Sequence, residues 1–355
     1  CNQMLEFQCW NAGGKQSQTF SLCSLPHSSL TKEDMFAAVG EVLAAAAGVL
    51  YICCDNAGEH VYVKSFLLGL ELPLHQEKLR ALPFWRDEQL LFLAAPAHVQ
   101  KNWACQVRAW SRNMRFGRLC IDNATILELG CPPGPFTGLD PQSDREAALL
   151  ANPYFLVADP VCPQVPWSLY GFLALNVTCG LIQAALLHGT MSTEDRCVNA
   201  LSGYVLLDLC QMRQSAAAAE EGQAAEASFL HSVTVRNLQE LAASAVLHCL
   251  AKPVPFKRSR LSELKVEMWF SLLQRQFANS QMTARSYVQA SARQQRRHLQ
   301  DIRREDHKSR QGADIVLQPL SDETFLQLST QALRCSLELF ALCCGDGSTA
   351  ESLKQ

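Results

Sequence analysis

The chain has 355 residues, 48% of them hydrophobic and 18% charged, which is enough apolar material for one large core or two smaller ones and argues against extensive disorder. The formal net charge is -3, from 31 basic and 34 acidic residues, so the molecule as a whole does not attract nucleic acid electrostatically. A nucleic-acid contact would therefore need a local basic surface.

Sixteen cysteines are scattered through apolar runs such as 51–54, a usage typical of buried free thiols in an intracellular protein. No Cys-x-x-Cys pair occurs, so the common zinc-finger spacings are missing from the sequence. The chain begins at Cys1 rather than Met, and we expect it to be cut from a longer product. The apolar run at 167–187 is interrupted by polar residues and lacks a basic flank, which predicts a buried helix and no membrane contact.

The first third of the chain predicts strands that alternate with helices. A capped helix, two strands, a short helix, a third strand and a further helix follow in order, at 31–47, 49–54, 60–64, 76–82, 89–94 and from Pro96 onward. This order indicates an α/β fold with a mixed sheet and helices packed on it. From Pro166 onward nearly every periodic segment predicts a helix.

Four parts are predicted along the chain. Residues 1–30 are expected to be poorly structured, 31–122 to form the sheet with its helices, 123–255 to be a mostly helical insertion, and 256–355 to be a helical C-terminal part. Residues 215–227, rich in Ala and Glu, are of low complexity and predict an exposed linker or a frayed helix.

Two acids are candidates for metal chemistry. Asp55 follows a predicted buried strand, a position that holds a metal-binding carboxylate rigidly at the rim of a sheet. An Asp that begins a turn through its own side chain explains the same position. Glu267 shares a helical face with Glu263, and acids in a first helical turn are also favoured by the helix dipole without any function.

A basic helix is predicted from Gln281 to Arg310, with Asn279 or Ser280 as its cap. Basic side chains spread along it can neutralise phosphates, and we single out Arg293, Arg296 and Arg297 as candidates for DNA binding. A solvated helix stabilised by ion pairs with its few acids is the alternative.

Several enzyme classes lose support because their signatures are missing from the sequence. It contains no glycine-rich phosphate loop, no nucleophile elbow and no zincin helix. Serine hydrolases and nucleotide-dependent enzymes are therefore disfavoured.

Two short segments resemble the catalytic core of P-element-like transposases. Residues 95–102, which leave a hydrophobic strand and enter a helix, resemble the family pattern of Asp, one residue, Pro, His, two residues and Lys, with His98 and Lys101 in the matching places. The place of the family's Asp falls at Ala94 or Ala95. Residues 267–271 resemble the Glu-x-Phe-Phe helix that carries the last acid, with Glu267 as that acid.

The resemblance implies an RNase H-like fold with a large helical insertion, in which two Asp and one Glu hold two divalent ions, Mg²⁺ or Mn²⁺, for DNA strand cleavage and transfer. Asp55 would be the first acid and Glu267 the last. The acid missing near Ala95 predicts impaired catalysis, because a metal-bridging carboxylate is lost. Asp159 follows another candidate strand and offers a different middle acid, which would make the chain an active two-metal nuclease.

The expectation is therefore a transposon-derived, catalytically impaired domain that binds DNA, with His98 and Lys101 also near the DNA and a nuclear location. A non-enzymatic helical protein-interaction module, with partners that the sequence does not identify, is the alternative. An active nuclease that uses Asp55, Asp159 and Glu267 is the second alternative.

Overall fold

The computed structural model describes residues 3–10, 19–27, 31–45, 51–54, 91–107, 114–116, 119–121, 179–182, 185–186, 190–220, 229–250, 269–270, 272–273, 275–276, 283–305 and 317–344. Their strands, in chain order, are β1 (Gln3–Trp10), β2 (Thr19–His27), β3 (Tyr51–Cys54), β4 (Leu91–Ala94), β5 (Met114–Phe116) and β6 (Leu119–Ile121). Their longer helices are α1 (Lys32–Ala45), α2 (Pro96–Val107), α3 (Thr193–Glu220), α4 (Ser232–Leu250), α5 (Ala284–Glu305) and α6 (Asp322–Cys344). Shorter helical pieces lie at 179–182, 185–186 and within 269–276.

The prediction of an α/β fold built on an RNase H-like mixed sheet is wrong. Most of the described residues are helical, and the described strands form three separate pairs. β1 pairs with β2 and β5 with β6 in antiparallel fashion, whereas β3 pairs with β4 in parallel. A mixed sheet needs a strand with neighbours of both orientations, and each described strand has one partner.

One further difference from the sequence expectations, and one alternative that they left open, concern local structure. Residues 1–30, expected to be poorly structured, contain the β1–β2 pair, whose register shifts between Phe7 and Gln8. Of the two alternatives for the low-complexity residues 215–227, an exposed linker or a frayed helix, the helix is the one found as far as Glu220, at the end of α3. Alanine has the highest helix propensity of all residues, so a run of alanines continues a helix that tertiary packing has already begun.

The start of α1 follows the prediction that Thr31 is its cap. The Asp34 backbone N–H donates to Thr31 Oγ1 at 3.1 Å, and the Thr31 N–H donates to Asp34 Oδ2 at 3.1 Å. These reciprocal bonds satisfy two donors that the first helical turn leaves free. Hydrogen bonds from Thr31 lower the pKa of the exposed Asp34 carboxyl.

The chain divides into two compact units, each built from two stretches of sequence. The first contains residues 1–95 and 252–317, and the second contains 96–251 and 318–355. These limits differ from the predicted boundaries after residues 122 and 255. In the first unit, a described core cluster joins Trp269 and Leu273 to Tyr287 and Ala290 of α5.

In the second unit, α3 contacts both α4 and α6, and α4 also contacts α2. Two contacts give the directions of α3 and α4: Gln239 in the first half of α4 bonds Asp208 in the second half of α3, and Cys249 at the end of α4 lies near Cys197 at the start of α3, so these two helices run antiparallel. The Gln318 N–H donates to Thr193 Oγ1 at 3.2 Å, and Ser336 Oγ donates to the Ser202 carbonyl at 3.0 Å, so α6 runs parallel to α3. The core between these helices is apolar and includes Leu206, Leu207, Leu238 and Leu241.

Candidate functional site

The three candidate acids, Asp55, Asp159 and Glu267, lie outside the described residues. The parallel pair that precedes the first of them is described, and its last register position places Cys54 beside Ala94. In sequence, Asp55 follows Cys54 and Ala95 follows Ala94, so the chain leaves both strands at the same end of the pair. Ala95 is fully buried and has no carboxylate to offer a metal ion.

His98 and Lys101 lie one turn apart on α2. The Lys101 Nζ is 3.4 Å from the His98 Nε2, and both residues are half-buried. An ammonium group can only donate, so the imidazole nitrogen accepts in this contact. The i, i+3 spacing that matched the transposase pattern therefore also has a local structural use.

α2 is held in place by its apolar face and by a polar contact to the start of α4. Val99 and Trp103 are fully buried. The side chain of Gln106 accepts a hydrogen bond from the His231 backbone N–H at 2.7 Å and donates one to Thr234. These contacts fix the helix that carries the two matched residues.

α5, which carries the three candidate arginines, begins later than predicted. Its cap is Thr283 rather than Asn279 or Ser280, because the Ser286 N–H donates to Thr283 Oγ1 at 3.2 Å and the Thr283 N–H donates to Ser286 Oγ at 2.9 Å. Such a reciprocal pair stabilises the first turn in the manner of a capping box. The described helix then extends to Glu305.

One face of α5 is buried against the helical residues around Trp269. Tyr287, Ala290 and Ser291 are buried at i, i+3 and i+4 spacing, and the Tyr287 ring lies 6.2 Å from the Phe270 ring, centroid to centroid. Gln276 Nε2 donates to Gln294 Oε1 at 2.8 Å along the same side. The described aromatic residues of the 267–271 segment thus pack as a hydrophobic core against α5.

The candidate arginines occupy another face of α5. Arg293, Arg296 and Arg297 repeat the i, i+3, i+4 spacing six residues further on, which rotates their face about a third of a turn away from the buried one. All three are exposed, as is Arg285. The sequence has no acid between Ala284 and Gln300, and the first acid along the helix, Asp301, follows Arg297 by four residues. The surface formed by Arg293, Arg296 and Arg297 is called the α5 basic face below.

A second polar cluster, buried in the second unit, was not predicted from the sequence. Arg196 in the first turn of α3 is fully buried. Its Nη1 donates to the Ala185 carbonyl at 2.7 Å and its Nε to the Met191 carbonyl at 3.1 Å. A guanidinium bonded in this way satisfies carbonyl groups that would otherwise lose their hydrogen bonds to water.

His248, near the end of α4, is also buried, and burial together with the nearby Arg196 charge lowers its pKa to about 3. The adjacent Cys249 is fully buried, and burial raises its pKa, as does the neighbouring Cys197. Burial raises the pKa of the Cys197 and Cys179 thiols to about 12. A thiol nucleophile needs a lowered pKa, whereas the thiols beside the charged Arg196 have raised pKa values and stay neutral at pH 7.

No sequence signal marked this cluster. Arg196 follows Glu194 and Asp195 at the start of a helix, where charged side chains are ordinarily exposed. Its partners are backbone carbonyls before α3 and a histidine about fifty residues later, so only the fold brings them together.

No protein-family model matches this chain, and no curated protein or solved structure is significantly similar to it.

The likeness to transposases therefore depends on the short segments around His98 and Trp269. Among the described residues, no three His, Cys, Asp or Glu side chains are grouped as a metal site requires. None of the described helices combines the length and apolar character that crossing a bilayer requires.

Proposed function

We propose that this chain is a non-catalytic, transposase-derived domain that binds DNA through the α5 basic face. The observation that carries the proposal is the one-sided charge of α5. Arg293, Arg296 and Arg297 are exposed on one face, with Asp301, four residues after Arg297, as the first acid along the helix, while Tyr287 and Ala290 anchor another face in a core. A helix fixed in this way presents its charges in a constant geometry.

Phosphates are the ligand that this surface suits best. Arginine has a planar guanidinium that pairs with phosphate oxygens through two parallel hydrogen bonds, and its charge is permanent. Neighbouring phosphates along one DNA strand lie several ångströms apart, and residues three and four apart on a helix have a similar spacing. Because the whole chain has a net charge of -3, binding would depend on this local face rather than on the protein as a whole.

The proposal that the domain lacks catalysis rests on Ala95. The resemblance requires a carboxylate there, beside the first acid, because two ions must bind on both sides of the phosphate that reacts. The Cys54–Ala94 register supports the juxtaposition of the two positions, and alanine cannot ligate an ion. If a metal bound at Asp55 and Glu267, it would lack the bridging group.

Binding to duplex DNA as a function of ionic strength tests the proposal. Each phosphate neutralised contributes about -0.9 to the slope of log K against log salt concentration. We expect Arg293→Gln combined with Arg296→Gln and Arg297→Gln to make that slope shallower by about 3 and to weaken binding to unrelated sequences equally.

A matched pair of single substitutions controls for the loss of charge alone. Arg296→Gln on α5 should make the slope shallower by about one phosphate contact. Arg334→Gln removes the same charge from an exposed position on α6 and should leave the slope unchanged. Equal effects of the two substitutions, or a chain that does not bind DNA at low salt, would contradict the proposal.

A further inference from the structure

α6 carries an apolar stripe that its packing does not use. Leu326 is 69% exposed and Leu333 is 48% exposed, with the exposed Thr330 between them and the half-buried Leu337 one turn further on. Residues seven apart lie on the same side of a helix, two turns or roughly 10 Å from each other. These four residues form the α6 stripe.

A different flank of α6, about a third of a turn away from the stripe, packs against α3. Ala332 and Ser336 are fully buried, and Ser336 Oγ donates to the Ser202 carbonyl. Elsewhere in the second unit, the large apolar side chains described as exposed, Met212 and Val233, stand singly on their helices. Single exposed apolar residues are ordinary on protein surfaces, whereas contiguous exposed apolar surface is typical of interaction sites, and Leu326 and Leu333 share one face.

The charges beside the stripe are mostly negative. α3 and α6 start side by side, as the bond between the Gln318 N–H and Thr193 Oγ1 shows. Exposed acids occupy both first turns: Glu194 and Asp195 on α3, and Asp322 and Glu323 on α6. The described residues of α6 therefore include three exposed acids, Asp322, Glu323 and Glu338, and one exposed base, Arg334.

We propose that the α6 stripe is a docking site for an amphipathic helix of a partner protein, with apolar residues along one face and basic residues toward one end. Helices dock on such surfaces through apolar residues at i, i+4 and i+7. The acidic end of the stripe selects a basic partner and fixes its direction by charge complementarity. In a dimer of this chain, one net-negative α6 would lie against another in either orientation, and the two helices would repel each other. The charges therefore favour a basic partner. This site is independent of the DNA contact proposed for α5.

Two synthetic helical peptides test this proposal on the full chain. They share leucines at i, i+4, i+7 and i+11 and differ only in whether lysine or glutamate flanks those leucines. We expect fluorescence anisotropy to detect binding of the basic peptide and at least about tenfold weaker binding of the acidic one. Leu326→Ala with Leu333→Ala should weaken binding of the basic peptide by about tenfold or more, because the apolar anchors are lost.

Two further variants separate the stripe from unspecific adhesion. Met212→Ala with Val233→Ala removes exposed apolar groups elsewhere in the same unit and should leave peptide affinity unchanged. Glu194→Gln with Glu323→Gln should weaken binding of the basic peptide several-fold and make the remaining binding less sensitive to salt. Circular dichroism should show unchanged helix content for all three double variants, since every substituted side chain is exposed.

Four results would overturn the proposal. One is equal affinity for the basic and the acidic peptide. Another is unchanged affinity for the basic peptide in the Leu326→Ala, Leu333→Ala variant. The third is a dimer in sedimentation experiments that disappears in the Leu326→Ala, Leu333→Ala variant, since a second copy would then occupy the stripe. Failure of the basic peptide to bind at all would overturn it equally, whatever the outcome of the DNA measurements on α5.

Discussion

α5 carries Arg293, Arg296 and Arg297 in contact with water, whereas α3 carries Arg196 completely buried against two backbone carbonyls. All four residues have the same guanidinium group, and its surroundings determine which groups it can bond. An exposed guanidinium is available to an external anion, while a buried one is already committed to the carbonyl groups that bond it. The exposed arginines of α5 are therefore available for the DNA contact proposed above, whereas Arg196 stabilises the start of α3.

The largest expected effect concerns the support of α5. Trp269→Ala removes a buried ring from the cluster that holds the helix and should lower the free energy of unfolding by about 3–5 kcal/mol. Urea denaturation measures this loss. Leu272→Ala is the matched control, because this neighbour in the same helical region is exposed and its loss should change stability by less than about 0.5 kcal/mol.

If Trp269→Ala also lowers DNA affinity, while Leu272→Ala does not, the basic face depends on the core behind it. A stable Trp269→Ala variant with unchanged DNA binding would show that α5 works without this anchor. The exposed arginines of α5 would then bind DNA without needing the hydrophobic core that contains Trp269.

The second effect tests the structural role of Arg196. Arg196→Ala leaves the Ala185 and Met191 carbonyls without their guanidinium bonds, and hydrogen bonds to charged groups contribute about 1.5–3 kcal/mol each. We expect a loss of about 3 kcal/mol in the free energy of unfolding. Arg334→Ala on α6 should cost less than about 0.5 kcal/mol, because its side chain is exposed. Similar losses at both positions would remove the contrast between buried and exposed arginine.

The third effect is a pH dependence centred on His248. Burial and the Arg196 charge lower the pKa of His248 to about 3 in the folded state, while an unfolded histidine titrates near 6.5. The unfolded state therefore binds an extra proton between these two values. The stability contributed is complete above pH 6.5 and is lost as the pH falls toward 3, by about 1.4 kcal/mol per pH unit.

His248→Gln should remove this part of the pH dependence, because glutamine does not titrate. Denaturation at several values between pH 4 and 6 gives the slope for each protein, and the substituted protein should have the shallower slope by one proton. An identical slope in both proteins would show that other groups carry the acid sensitivity.

Local signals in the sequence predicted helix starts better than they predicted the fold. Thr31 and Asp34 are three residues apart and satisfy each other's backbone groups, so the start of α1 could be inferred from four letters. The existence of α5 followed from its periodicity, but its cap did not, because Asn279, Ser280 and Thr283 are all competent caps. The mixed sheet was wrong because strand order depends on pairing between distant segments, which short apolar runs do not specify.

The candidate sites also differ in how far local sequence could predict them. The arginines of α5 were singled out because basic residues are frequent along a predicted helix, and the structure describes Arg293, Arg296 and Arg297 as exposed. The buried cluster escaped prediction because the hydrogen-bond partners of Arg196 are backbone carbonyls, which carry no sequence signature. The sequence around His248 is that of an ordinary histidine in a helix, and only the fold brings His248 near the buried charge of Arg196.

The smallest effect concerns the cap of α5. Thr283→Ala removes the hydroxyl that accepts the Ser286 N–H, and loss of such a cap costs about 1 kcal/mol. Thr283→Ser keeps a hydroxyl at the same place and should retain most of that stability. Because the cap lies about three turns before Arg293, we expect the first turn to fray while the three arginines keep their positions, so DNA affinity should change little. A large loss of DNA affinity in Thr283→Ala, restored in Thr283→Ser, would instead show that the first turn of α5, with Arg285, is part of the binding face.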